Sequence, residues 1–272
     1  MTYIALSILC SVAIGNLLQF FSKDKKLDIM TVFLGNYFFA SIFSYLQKTP
    51  GSFSIGIFEL IFGFITGFFF LFNFFILQKN ININGLSLSV GVMRVAVIIP
   101  TVMSVLFFTD KIGIVSAMGV LVILVAFFFI METRSLHNFL WICLLFVVAG
   151  FTDSTTKIYS ELGKPDQTPF IFILFTSAFI LTLLWKLIFN RQFNVKYICY
   201  GIVLGIPNQL STRFFLMGLD RVPAPIAYPL TASSIVVLSI VSDIFLWKRM
   251  FTMKQRIALG MLVFGILLLN LR

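Results

Sequence analysis

Ten apolar stretches, each long enough to cross a lipid bilayer, fill this 272-residue chain almost end to end. They lie near residues 3–21, 29–46, 55–77, 88–108, 114–131, 138–156, 169–189, 197–217, 224–246 and 255–270. A spanning helix needs roughly 20 predominantly apolar residues. The gaps between the stretches are too short to fold into a soluble domain. The pattern predicts an all-α integral membrane protein with ten transmembrane helices.

Composition agrees. Residues are 60% hydrophobic and 11% charged, against about 25% charged in a soluble domain. The 35 Phe residues suit lipid-facing and closely packed helix surfaces. The first stretch has no Lys or Arg ahead of it and no clean small-residue cleavage site, so it is read as helix 1 rather than a leader. Cys10, Cys143 and Cys199 show no metal spacing and read as packing residues. No cofactor and no metal site is expected.

The net charge of +10 does not point to nucleic acid, because no soluble domain is left to carry a basic patch. Its distribution is more telling. Odd-numbered loops and their edges hold twelve Lys and Arg, even-numbered loops and the termini hold six, and Arg94 and Arg213 lie within spans, which completes the twenty. The positive-inside bias then places the odd loops in the cytoplasm and both termini outside.

The chain reads as two halves built alike. Gly63-Phe-Ile-Thr-Gly67 and Gly201-Ile-Val-Leu-Gly205 are both GxxxG, 138 residues apart. Small residues at this spacing let helix backbones approach closely. Phe108-Thr-Asp-Lys-Ile112 and Trp247-Lys-Arg-Met-Phe251 lead into helices 5 and 10 at an offset of 139, and Asn16 stands 137 residues before Asp153. The expected repeats are 1–133 and 134–272, each of five helices. Five is odd, so the second repeat enters the membrane from the opposite side. Inverted repeats suit alternating access, since exchanging their conformations turns an outward opening inward. The other readings are an intramembrane enzyme and a membrane scaffold. His137 stands beside Glu132 and Arg134 without an HExxH motif or a recognisable triad, so no enzyme is expected.

Ionisable groups inside a bilayer are costly and face cavities or partners. Arg94, in helix 4, reads as a cation for a substrate carboxylate or phosphate, or as an arginine reaching for an interface or a structural acid. Ser233 corresponds to Arg94 in the second half and Ser234 follows it; both serve as substrate donors or as packing residues. Asp153 and Lys157 share one helix face at i and i+4, as an ion pair or as a switch that exchanges Lys157 for a ligand. Helix 8 carries Asn208, Gln209, Ser211 and Arg213 after Pro207, which reads as a binding element, since a proline-broken helix near the midplane is the usual pointer to a transporter site, or as a simple hinge. Asp243, in helix 9, reads as a partner of Arg94 or Arg213, as a coupling carboxylate or as an interfacial charge. There is no GxxxxGK[ST] loop, so the expected drive is a proton or an exchanged solute rather than ATP.

Five segments carry a family resemblance. Asn36-Tyr37 followed by Ala40 looks like an NY..A pattern. Pro100, Asp110-Lys111-Ile112 and Gly119 resemble a P…(G)E-K-L…G run. Gly150 through Lys157 resembles G..D...K, Leu204 through Ser211 resembles GIPN..S, and Trp247 through Gln255 looks like an FKEKLS segment. In this order they resemble the drug/metabolite transporter superfamily, in its EamA-like branch of ten-helix proteins made of two five-helix repeats. The acidic position is Asp110 in the first repeat and Arg249 in the second, a reversal of charge. The resemblance implies a secondary transporter of a small polar metabolite, exporting or exchanging it, with a cavity lined by helices 1, 3, 4, 6, 8 and 9. It implies a small-molecule substrate and the lipid bilayer as partners, no nucleic acid, and a bacterial inner membrane as the location; a homodimer stays open.

Overall fold

The structure is a computed structural model. It describes residues 1–21, 23–24, 26–48, 53–84, 92–130, 139–189, 192–246, 248 and 253–270, without the side chains of 78, 81–84, 127–130, 139, 243, 255, 258, 259, 269 and 270. Among the described residues every regular element is a helix. The helices are α1 (Thr2–Phe21), α2 (Ile29–Leu46), α3 (Ile57–Asn84), α4 (Ile98–Phe107), α5 (Ile114–Ile130), α6 (Phe139–Leu162), α7 (Thr168–Ile188), α8 (Val195–Leu219), α9 (Ala224–Phe245) and α10 (Met253–Asn270). A helical turn over 92–95 precedes α4, and two turn residues at 96 and 97 separate them. The expected fourth span is therefore interrupted.

Among the described residues, six segments are long and apolar enough to cross a membrane: Thr2–Phe21, Ile29–Leu46, Ile57–Leu77, Leu140–Leu162, Thr168–Ile188 and Ala224–Ser242. Two apolar helices, Val92–Phe107 and Ile114–Ala126, are shorter. In α8 the run Pro207-Asn208-Gln209, with Ser211, Thr212 and Arg213, dilutes the apolar character of a 25-residue helix. Outward-facing side chains such as Leu9, Phe20, Leu60, Phe64, Leu121 and Leu140 are large and apolar. That is the surface expected where lipid is the solvent.

The chain divides into two compact units. The first holds Met1–Leu71 and Ile158–Gly218, and the second holds Phe72–Lys157 and Leu219–Arg272. Each unit thus mixes elements from the two sequence halves. In the first unit α2 packs along α7. A Cβ added at Gly63 or Gly67 would run into Ile173, Leu174 or Ser177 of α7, and one at Gly201 would meet the Val32 carbonyl of α2. Both GxxxG motifs therefore serve close backbone approach. Phe21, Val32, Tyr197 and Leu204 form a buried cluster there, with Phe21 stacked on Tyr200 at 4.3 Å.

Charged caps fix the helix ends of this unit. The Asp28 carboxylate caps α2 by accepting from the Met30 N–H at 3.1 Å. The fully buried Lys186 of α7 donates to Asp28 at 2.7 Å, to Thr31 at 2.7 Å and to the Gln192 carbonyl at 3.1 Å. Such a cap contributes about 1 kcal/mol; here it also gives a buried ammonium its counter-charge. In the second unit α5 packs on α10, and α9 packs on α4, α5 and α10.

Candidate functional site

The second unit brings Arg94, Asp153 and Tyr228 together. Arg94 lies in the helical turn ahead of α4, Asp153 in α6 and Tyr228 in α9. Arg94 and Asp153 are close enough to interact electrostatically, and Asp153 also acts on Tyr228. The Tyr228 hydroxyl donates to the Asp153 carbonyl at 2.7 Å. Arg94 Nε is buried without a hydrogen-bond partner. An orphaned donor on a buried guanidinium is costly in a protein interior, and it is the kind of group that takes an oxyanion. Tyr228 had no part in the sequence reading; its signal was a lone hydroxyl between Pro225 and Pro229 in an apolar run.

The expected Asp153–Lys157 pair does not form. Lys157 instead donates to Asp110 at 2.8 Å and sits 5.4 Å from the centre of the Phe108 ring. The two charges on one face of α6 are thus divided, Asp153 toward Arg94 and Lys157 toward Asp110. The reason is tertiary. Thr109 adopts a left-handed backbone (φ 56°) that turns the chain after α4, and the Asp110 carboxylate there accepts from the Ser104 hydroxyl as well as from Lys157. Asp110 lies outside the spans. Burial alone would raise its pKa, but the hydrogen bonds from Lys157 and Ser104 outweigh burial and hold it below the ordinary carboxylate range.

Most of the remaining candidates are placed in helix packing. Asn208 donates its amide to Asn36 at 3.1 Å, buried between α8 and α2. The Ser211 hydroxyl lies 2.7 Å from Ser11 and 3.4 Å from Ser7 of α1. Arg213 donates to Gln47 at the C-terminal end of α2, where Gln209 also donates at 2.9 Å. Asn16 bonds the Val12 carbonyl within its own helix at 2.9 Å. Ser233 is fully buried and returns its hydroxyl to the Pro229 carbonyl at 2.6 Å, while Ser234 beside it is half-buried. Asn16, Asn208, Ser211 and Arg213 belong to the first compact unit, and Arg94, Asp153 and Tyr228 to the second. Asp243 belongs to α9, with its side chain outside the described residues, as are Arg249 and His137. The serine and asparagine pairs carried no local signal, because each spans more than 170 residues of sequence.

The EamA-like transporter family matches residues 138–271. Over those residues the chain is similar to that family, which is part of the drug/metabolite transporter superfamily. Members of that family are membrane transporters rather than enzymes, acting on small molecules within membrane lipid. A solved structure described only as "Crystal structure of protein" is similar with a TM-score of 0.76 at 13% identity, covering 99% of this chain and 95% of that one. At that identity the likeness is one of fold. No curated protein matches the chain.

Proposed function

We propose that this EamA-like protein is a secondary transporter that exports or exchanges a small polar metabolite across a bacterial inner membrane by alternating access. The observation that carries the site is the buried, partnerless Nε of Arg94, set near Asp153 and Tyr228. Arg94 takes an anionic group of the substrate, and Asp153 supplies the counter-charge that holds the empty site together. The coupling is to a proton or to an exchanged solute.

The mechanism calls for ten spans in two inverted repeats, 1–133 and 134–272. Two features support this. α2 packs on α7, α4 on α9 and α5 on α10, so three helices meet their own counterparts five places on. The two GxxxG motifs also make reciprocal contacts, α3 on α7 and α8 on α2. A duplication about a two-fold axis produces both relations.

The test is metabolite profiling of cells that express the wild-type chain or Arg94→Ala at equal level. A compound whose inside-to-outside ratio changes with the wild type and reverts in the variant supports the reading. An unchanged ratio shift in the variant removes Arg94 from the site.

A further inference from the structure

We infer that Thr231 of α9 determines substrate specificity at the Arg94–Asp153–Tyr228 site, its free hydroxyl bonding a hydroxyl or amino group that the substrate carries beside its anionic group. The inference rests on the proposed site and adds a second recognition contact to it. Thr231 is 8% exposed, and its Oγ1 is buried with no hydrogen-bond partner among the described residues. A buried threonine in a helix ordinarily returns its hydroxyl to a backbone carbonyl three or four residues back. Thr66, Thr101, Thr152 and Thr182 each do so at 2.7 Å, four residues back, and Thr155 does so at 2.7 Å, three back. Ser233, two residues after Thr231, does the same at 2.6 Å. Thr231 forgoes that bond, and a buried hydroxyl left unbonded is costly. Valine would fill the same space without the cost, so the hydroxyl is better explained by a ligand than by packing.

Packing places this hydroxyl at the site. The Tyr228 hydroxyl donates to the Asp153 carbonyl at 2.7 Å, so the Tyr228 face of α9 is turned to α6 at the level of Asp153. A Cβ added at Gly150, three residues before Asp153, would run into Ile99 at the start of α4. The segment that follows Arg94 therefore meets α6 at nearly the same level. α9 packs on α4 as well. The start of α4, the Asp153 turn of α6 and the Tyr228 turn of α9 thus converge. Thr231 stands three residues after Tyr228, and residues three apart share one ridge of a helix. Ser234 is next on that ridge and half-buried, so polar groups run along α9 from the enclosed Tyr228 to a partly exposed end. Two orphaned polar atoms, Arg94 Nε and Thr231 Oγ1, belong to these converging segments. The guanidinium N–H only donates, whereas a hydroxyl donates and accepts. Together they suit an anion with a second polar group nearby, and a site built to hydrogen-bond such a group rejects analogues that lack it.

The test uses the full-length protein in liposomes loaded with a total small-molecule extract of the expressing cells, with efflux read by mass spectrometry at matched protein content. Thr231→Val keeps the shape and removes the hydroxyl. It should slow efflux of the compounds the wild type exports roughly tenfold, as loss of one buried hydrogen bond does. Thr231→Ser keeps the hydroxyl and should stay within about threefold of the wild type. No bond to the protein is lost in Thr231→Val, so its thermal midpoint in detergent should be no lower than that of the wild type. Wild-type efflux by Thr231→Val overturns the inference, as does a Thr231→Ser no faster than Thr231→Val. A lowered midpoint, or a Thr231→Val that does not fold, also overturns it, by showing that the hydroxyl serves the fold. Arg94→Ala is run alongside. If that variant exports like the wild type, or the wild type exports nothing, the site falls and the inference with it. Loss of efflux in Arg94→Ala with Thr231→Val unaffected sinks the inference alone.

Discussion

At the scale of single residues, the Lys157–Asp110 pair is asymmetric. Lys157 is 2% exposed and Asp110 is 21% exposed. Removing the lysine leaves a partly solvated carboxylate that still accepts from Ser104. Removing the acid leaves a buried ammonium without its counter-charge. Breaking a buried pair costs about 3–5 kcal/mol, so Asp110→Asn should approach that range and Lys157→Met should cost less. The double variant should recover part of the loss. Unfolding in mixed detergent micelles measures all three, and additive losses would show that the pair is not coupled. Acid pH probes the same contacts. The pKa of Asp110, and that of Asp28 beneath Lys186, are held low because hydrogen bonds outweigh burial. A carboxyl whose folded value lies below its unfolded value, about 3.9, contributes stability that is present above the unfolded value and lost as pH falls through the folded one. The thermal midpoint should therefore be flat, with respect to these two groups, above about pH 5 and drop below pH 4. Asp28→Asn and Asp110→Asn should each flatten that drop. The sequence made Arg94 and Asp153 visible as charges in apolar runs. It could not reveal the partner of Lys157, because i,i+4 spacing is a local rule while Asp110 lies 47 residues away. Asn208 and Ser211 looked like ligand hooks for a related reason: hydrogen-bonding side chains also join membrane helices to one another, and only the fold shows which role is taken.

At the scale of helices, the two GxxxG motifs announced close packing but not their neighbours. The structure sets Gly201 against the backbone of α2, where an added Cβ meets the Val32 carbonyl, whereas a Cβ at Gly15 of α1 meets nothing within 4 Å. The expectations are opposite in sign. Gly201→Ala pushes backbone against backbone and should destabilise by about 1–3 kcal/mol, as overpacking does. Gly15→Ala should stabilise by up to about 1 kcal/mol through helix propensity. Equal effects in detergent unfolding would contradict this packing of α8 on α2. The interruption before α4 was not legible, since the residues around Ala96 and Val97 are as apolar as a continuous span. α6 runs on through Leu162, beyond the expected end at 156, because Ser154, Thr155 and Thr156 bond backbone carbonyls within the helix and Lys157 is neutralised by Asp110.

At the scale of the whole molecule, apolar run length made the membrane class readable at once, and doubled motifs suggested the duplication. What composition does not encode is how the two compact units draw on both halves, α2 with α7 in one and α5 with α10 in the other. That interleaving comes from which faces pack. Two-sided labelling tests alternating access most directly. A single cysteine replaces the half-buried Ser234 of α9, with Cys10, Cys143 and Cys199 changed to Ala. A membrane-impermeant maleimide is then applied to sealed vesicles from the outside and, in a second sample, from the lumen. The carrier account predicts labelling at this position from both faces. Labelling from one face only, under every solute condition tried, would contradict it.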